Sequence, residues 1–151
     1  MLISGLVSIL VVSLCICIHF YALRRLAIVL NRSHPPVRKP LLLLFFVLYL
    51  VHLLEVMLYA VAMSLLDLAG LGKLDGAMTT TSGWFFDHFY FSIAAYTTLG
   101  IGDIVPHGQM RILAGMEALN GLVLITWSAS FSYLMMERFW GHDDDPNQKI
   151  D

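Results

Sequence analysis

Three long apolar segments dominate the chain, and each is long enough to cross a membrane as a helix. The first runs from Leu2 to about Leu23, the second from about Leu41 to Leu66, and the third from near Met110 to Trp140. About 22 helical residues rise ~33 Å, which exceeds a hydrocarbon core of ~30 Å. The pattern therefore predicts three transmembrane helices.

Polar stretches separate these segments and set the predicted boundaries. Three prolines in 32–40 forbid a continuous helix there, and three successive aspartates mark the tail as acidic. The predicted units are an N-terminal transmembrane helix 1–31, a cytoplasmic loop 32–40, a central unit 41–138 and a cytoplasmic acidic tail 139–151. Most lysines and arginines lie in or beside the loop and the tail, so the positive-inside rule places the N-terminus outside and the C-terminus in the cytoplasm.

A short aromatic segment, 84–97, lies between the second and third apolar segments. Its residues reach only ~20 Å as a helix, which is too short to span a bilayer. The turn-prone stretch 98–103 follows directly. Irregular backbone at membrane depth persists only where it is buried in protein or lines an aqueous path. We therefore expect a re-entrant helix and loop that enter the membrane from the external face.

Composition supports a membrane location and excludes one class of partner. Hydrophobic residues make up 58% of the chain and charged residues only 13%, against about a quarter charged in a soluble domain. The net charge of −2 excludes nucleic-acid binding through a strongly basic surface. Membrane lipid is thus an expected partner, and we expect an integral protein of a plasma membrane or a bacterial inner membrane.

The loop contains two glycines that flank one aliphatic residue, Gly100-Ile101-Gly102. Glycine tolerates the conformations that turn successive carbonyl groups to the same side, and a ring of such loops presents stacked oxygens to a dehydrated cation. One chain supplies one loop, so a closed ring requires several chains in cyclic symmetry.

Residues Thr97 to Asp103, followed by Ile104-Val105-Pro106, closely resemble the selectivity filter of tetrameric potassium channels, T-T-V-G-Y-G-D-x-x-P. The resemblance implies an all-α homotetrameric membrane protein with an outer helix 41–67, an external loop 68–83, a pore helix 84–97, a filter 98–103 and an inner helix 109–138. It implies that potassium is the permeant ligand, bound through filter backbone, with no cofactor and no other metal. The implied ion-binding residues are Thr98, Leu99, Gly100, Ile101 and Gly102, with support from Thr97, Asp103 and Tyr90.

Two positions depart from the family pattern. Ile101 replaces the usual Tyr or Phe, and isoleucine packs but cannot form a hydrogen bond. Tyr90-Phe91 stands where many pore helices carry two tryptophans, and only Tyr90 keeps a donor for Asp103. These departures predict a less rigid filter. They leave open a weakly selective sodium/potassium pore beside the potassium-selective one.

The third apolar segment carries many small residues, which permit close helix approach in membranes. Gly121 lies near its middle, where the resemblance implies a gating hinge; simple packing is the alternative. Five residues at roughly helical spacing are candidates to line the cavity: Leu122, Ile125, Thr126, Ala129 and Tyr133.

Four polar residues fall inside the apolar segments: His52, Glu55, Glu117 and Asn120. Counting along the segments places them at similar depth, so they form a predicted buried cluster. Either the cluster senses protons and couples the helices to the filter, or it is a satisfied polar patch that fixes packing, which we favour. We interpret His19 as an isolated structural histidine, and we find no tight ligand spacing for a divalent metal.

The sequence therefore predicts passive cation conduction and no enzymatic activity. A non-conducting auxiliary membrane subunit is the alternative from another class of protein.

Overall fold

The computed structural model describes residues 2–31, 38–76 and 84–140. Three long helices and one short helix account for most of these residues, together with two short strands. In chain order the elements are α1 (Leu2–Asn31), α2 (Arg38–Leu68), β1 (Gly72–Asp75), α3 (Trp84–Tyr96), β2 (Val105–Gly108) and α4 (Met110–Trp140).

The three long helices are apolar enough and long enough to cross a membrane. The candidate spans are Leu2–Leu30, Leu41–Leu68 and Met110–Phe139. Only 28% to 33% of the most apolar window of each span is buried within the chain, so most of this surface is left for lipid or for neighbouring chains. The prediction of an all-α membrane protein is confirmed.

The second helix begins earlier than the proline-rich sequence suggests. α2 starts at Arg38, inside the predicted loop 32–40, and Pro40 is its third residue. A proline in the first helical turn removes an N–H that has no partner within the helix in any case, so the helix tolerates it. The rest of the predicted loop, residues 32–37, and nearly all of the predicted tail, residues 141–151, lie outside the described residues.

A two-stranded sheet corrects the prediction of a plain external loop at 68–83. β1 and β2 pair antiparallel, with Gly72 opposite Gly108 and Asp75 opposite Val105. A side chain on Gly72 would lie 2.6 Å from the carbonyl oxygen of His107, so the close approach of the strands requires glycine. The sheet ties the end of α2 to the segment that follows Asp103.

The short helix α3 packs between α2 and α4, while α1 packs on both of those long helices. One hydrophobic cluster joins all four helices and includes the buried residues Tyr59, Met63, Leu113 and Leu124. A second cluster joins the other ends of the three long helices through Leu30, Leu44 and Phe139. The loop after α3 is thereby held against a packed scaffold.

Candidate functional site

The backbone of residues 98–102 alternates between two conformations. Thr98, Gly100 and Gly102 have positive φ angles of 58°, 53° and 85°, whereas Leu99 and Ile101 between them do not. Glycine adopts such angles readily, but a β-branched threonine at positive φ is an outlier that the surrounding structure must impose. Within the described residues, Thr98 is the one non-glycine residue with this conformation.

Backbone N–H groups at the start of this stretch donate hydrogen bonds to the C-terminal end of α3. The amides of Thr97, Thr98 and Gly100 donate to the carbonyl oxygens of Ile93, Ala95 and Ala94, at 3.1, 3.0 and 3.1 Å. These acceptors are carbonyls of the last helical turn, which lack partners inside the helix. In the described part of the chain, no donor is hydrogen-bonded to a carbonyl oxygen of 98–102, so these oxygens stay available to a ligand.

Asp103 connects the end of the loop to the middle of α3. The Tyr90 hydroxyl donates to Asp103 Oδ2 at 2.8 Å, and the Ile104 amide donates to Asp103 Oδ1 at 3.0 Å. Tyr90 lies outside the three spans, and its hydrogen bond to the Asp103 carboxylate raises the pKa of the phenol above its ordinary value. The phenol therefore keeps its proton and remains the donor.

A cavity of about 160 Å³ separates the loop from α3. Its lining includes Tyr90, Phe91 and Ala94 of the helix, together with Ile101 and Gly102 of the loop. The Ile101 side chain is 56% exposed on the single chain. Ile101 therefore borders this cavity without filling it.

Three hydrogen bonds anchor α3 along its length. Near its start, Trp84 Nε1 donates to Asp67 Oδ2 at 3.0 Å, which ties it to the end of α2. In its middle, the Ser92 hydroxyl donates to Glu117 Oε1 of α4 at 2.7 Å. At its end, the Tyr96 hydroxyl donates to Glu55 Oε2 of α2 at 2.5 Å.

The residues around Tyr96 form a buried polar network that spans all four helices. His52 Nδ1 lies 2.8 Å from the Tyr96 hydroxyl and 3.2 Å from Glu55 Oε2. His19 Nδ1, on α1, lies 3.0 Å from Glu55 Oε1. The Ser128 hydroxyl, on α4, lies 3.1 Å from His19 Nε2 and 3.0 Å from His52 Nε2. This arrangement leaves none of the five residues unpartnered.

The predicted four-residue cluster is therefore wrong in its membership. His52 and Glu55 do meet, but Glu117 bonds Ser92, and the Asn120 amide donates to the Tyr59 hydroxyl at 3.0 Å.

The interpretation of His19 as an isolated histidine is also wrong, because it contacts both Glu55 and Ser128. Tyr96 and Ser128 are further members that sequence reasoning missed. Ionisable groups within a membrane span normally have a functional or structural partner, and this rule could have drawn attention to His19. Tyr96 gave no separate signal, because it directly precedes the filter-like motif.

Gly121 of α4 packs directly against Tyr96 at the end of α3. A side chain placed on this glycine would fall on the carbonyl oxygen of Tyr96, and 3.0 Å from the first ring carbon of Tyr96. The absence of a Cβ therefore permits the two helices to touch at this point. The hinge role stays a prediction.

The five candidate cavity residues all lie on the exposed surface of the single chain. Tyr133 is 61% exposed and Leu122 50% exposed. The Thr126 hydroxyl donates to backbone carbonyls of its own helix, at 2.9 Å from those of Leu122 and Val123. The five candidates, all exposed, are Leu122, Ile125, Thr126, Ala129 and Tyr133.

Two membrane helices, a short helix between them and a loop with free carbonyls define the class of a pore-forming membrane protein. Residues 44–138 match the family described as ion channel. The chain belongs to this family, through a pore domain of the potassium-channel type. The resemblance drawn from the sequence is thereby confirmed, and ion channels are not a class of enzymes.

A similar protein is the inward rectifier potassium channel Kirbac3.1 of Paramagnetospirillum magnetotacticum. The two are 34% identical over 82 residues, which cover 54% of this chain and 28% of the relative. The chain thus spans little more than a quarter of the length of this relative. No solved structure matches the chain.

Proposed function

We propose that the protein conducts potassium passively across a membrane, through a filter that four copies of the chain build together. The observation that carries this proposal is the backbone of 98–102. Its alternating φ angles occur together with amides bonded back to α3 and carbonyl oxygens that accept nothing within the described chain. Oxygens in this state replace the water around a dehydrated cation.

The ion-binding groups in this proposal are Thr98, Leu99, Gly100, Ile101 and Gly102, mainly through their carbonyl oxygens, with K⁺ as substrate. Thr97 supports the loop from below, where its hydroxyl donates to the Ile93 carbonyl at 2.7 Å. Asp103 and Tyr90 support it from behind. The C-terminal end of α3 adds the negative end of a helix dipole, which favours a cation near the loop.

The homotetramer follows from the incompleteness of one chain. A single loop offers one column of oxygens, whereas a cation without water needs oxygens on all sides. The side chains of Leu99 and Ile101 are 65% and 56% exposed, which leaves apolar surface at the loop for neighbouring copies. Cyclic symmetry brings identical loops together around one axis. The candidate cavity residues of α4 then face that axis below the loop.

Orientation is also part of the proposal. The C-terminus and the connection between α1 and α2 are cytoplasmic, and the N-terminus is outside, as the distribution of Lys and Arg favours. The β1–β2 sheet then lies at the external end of the filter. The membrane is a plasma membrane or a bacterial inner membrane.

A weakly selective sodium/potassium pore is the second candidate, and the cavity beside Ile101 favours it. A space of about 160 Å³ behind the loop gives the carbonyl groups room to move, and a mobile filter discriminates less well between cations. The similar protein is named a potassium channel, which favours the first candidate. A non-conducting auxiliary subunit is the candidate from another class.

Potassium flux from liposomes tests conduction, and the mass of the purified oligomer tests the assembly. In Gly100→Ala, the added side chain strains a residue with a φ of 53°, so we expect a tetramer with abolished flux. Gly5→Ala on α1 is the matched control, because its new side chain meets open space in the described chain, and flux stays at the wild-type level. A monomer in native mass spectrometry, or normal flux in Gly100→Ala, contradicts the proposal.

A further inference from the structure

The polar network at the end of α3 contains a set of metal-ligating side chains. One donor atom each from His19, His52 and Glu55 lies within 4.8 Å of the others. The side chains of His19 and Glu55 are fully buried, and that of His52 is 20% exposed. We propose that His19, His52 and Glu55 bind a divalent transition-metal ion, with Zn²⁺ as the best fit.

The donor set and its spacing match the chemistry of zinc. Two imidazole nitrogens and a carboxylate oxygen are ligands that Zn²⁺ prefers, and hard cations such as Mg²⁺ disfavour imidazole. His19 Nδ1 lies 3.0 Å from Glu55 Oε1, and His52 Nδ1 lies 3.2 Å from Glu55 Oε2. With bonds of about 2.0–2.1 Å, ligand atoms around a tetrahedral ion lie ~3.3 Å apart, so both histidine–carboxylate distances are close to this spacing, and the whole set, within 4.8 Å, contracts around a bound ion.

The Tyr96 hydroxyl lies next to this set of ligands. The Tyr96 hydroxyl oxygen lies 2.8 Å from His52 Nδ1 and 2.5 Å from Glu55 Oε2. It thus lies beside two of the three proposed ligands. The tyrosine oxygen or a water molecule is the candidate for the fourth position of a tetrahedral site.

Ser128 supplies the outer hydrogen bonds that a histidine ligand needs. Its hydroxyl oxygen lies 3.1 Å from His19 Nε2 and 3.0 Å from His52 Nε2. A hydroxyl oxygen has two lone pairs, so it accepts an N–H from both rings at once. Both Nδ1 atoms then carry lone pairs directed at the Glu55 side, because a hydrogen bond at one ring nitrogen fixes which nitrogen binds the metal.

With both histidines neutral and no metal bound, the network lacks one donor, which either an added proton on a histidine beside Glu55 or a metal cation supplies. When Ser128 gives its single proton to His19 Nε2, His52 Nε2 must donate to Ser128 and His52 Nδ1 becomes an acceptor. Glu55 Oε2 and His52 Nδ1, 3.2 Å apart, then share the one proton of Tyr96. Two buried acceptors that face each other are costly, and a cation between them removes the cost.

His52 lies at a cavity through which a metal ion can reach the site. His52 and Tyr96 line an apolar cavity of about 260 Å³ that also touches Ile93, Thr97 and Ile125. A bound ion would cross-link α1 and α2 to Tyr96, which directly precedes Thr97 and the filter-like loop. Zinc binding should therefore hold the end of α3 in place against the N-terminal helix.

Zinc titration of the full chain in lipid nanodiscs, by calorimetry and by zinc-edge X-ray absorption, tests this site. The working background carries His34→Gln, His107→Gln and His142→Gln, which remove other histidines, including the exposed pair of His107 with Asp75. We expect one Zn²⁺ per chain, with a nitrogen/oxygen shell that shows two imidazole rings. His52→Gln, made in this background, should weaken binding by about tenfold or more, because a ligand is lost. His19→Gln should do the same.

Three results would overturn the assignment. The first is an absorption spectrum without imidazole scattering. The second is a zinc affinity that neither His52→Gln nor His19→Gln changes. The third is a loss of zinc binding in the triple-histidine background before either substitution is made. If the two variants fail to assemble, the spectrum of the background protein decides, since it needs no change in the cluster. The readouts are independent of conduction, so they also stand if the channel function is wrong.

Discussion

Gly121→Ala tests whether close packing between α4 and α3 holds the filter in position. The new Cβ would fall on the carbonyl oxygen of Tyr96, 2.9 Å from its carbonyl carbon and 3.0 Å from its first ring carbon. Favourable carbon contacts lie at about 3.5–4.0 Å, so the helices must separate by roughly 1 Å. The atoms that would have to move are mostly backbone, which cannot rotate away as a flexible side chain does.

In Gly121→Ala, the destabilisation by overpacking should exceed the stabilisation that alanine gives to a helix. Overpacking of this kind costs about 1–3 kcal/mol, and displacement of Tyr96 strains its hydrogen bond to Glu55, which adds about 1 kcal/mol or more. Replacement of a helical glycine by alanine stabilises the helix by about 1 kcal/mol. We therefore expect Gly121→Ala to destabilise the folded protein by about 2 kcal/mol. Gly115 lies on the same helix with open space around its Cβ position in the described chain, so Gly115→Ala should show only the gain.

Thermal stability of the oligomer in fluorescence-detected size-exclusion chromatography provides the assay. At about 2–4 °C per kcal/mol, Gly121→Ala should lower the midpoint by about 4–8 °C, while Gly115→Ala leaves it unchanged or raises it. If Gly121→Ala is as stable as Gly115→Ala, the packing argument is refuted. A change of gating without a change of stability would instead favour the hinge role.

Three further substitutions test the supports of the loop. Ile101→Tyr should sharpen the preference for potassium, because its ring fills the cavity beside the loop; an unchanged sodium permeability in bilayer recordings counts against this account. Tyr90→Phe removes the donor to Asp103 and should make sustained current decay faster; currents as stable as wild type would show that this hydrogen bond is dispensable. Ser92→Ala removes the hydrogen-bond donor to buried Glu117 and should lower the stability in the thermal assay by about 1–3 kcal/mol. The second substitution Glu117→Met, made in Ser92→Ala, should restore the stability. If Ser92→Ala alone is as stable as wild type, the anchoring role is contradicted.

The sequence predicts the parts of this fold that depend on local pattern. The spans are visible because apolar runs of sufficient length have few other uses, and the loop is visible because Gly100 and Gly102 flank one aliphatic residue between them. Segment 84–96 could be told apart from the spans because a helix of 13 residues is too short to cross a bilayer. The strands were missed because four residues at Gly72–Asp75 show no alternation to detect.

The buried network could be predicted only in part. The i, i+3 spacing correctly predicts that His52 and Glu55 meet, whereas position along a span gives only depth. It does not give the face of the helix, because spans that are apolar all round carry no pattern that marks the inward side. The contact of His19 with Ser128 joins residues 109 positions apart, and Gly121 contacts backbone of another helix. Such contacts are set by helix packing and leave no local signal.

The reversal potential of the reconstituted protein is the most direct test of the central claim. A tenfold potassium gradient is applied across the bilayer, with sodium added to the dilute side so that total cation is equal. A potassium-selective pore reverses near the potassium equilibrium potential, about 59 mV from zero for a tenfold ratio of a monovalent ion. A reversal potential at zero, or no current from protein shown to be tetrameric, contradicts the account.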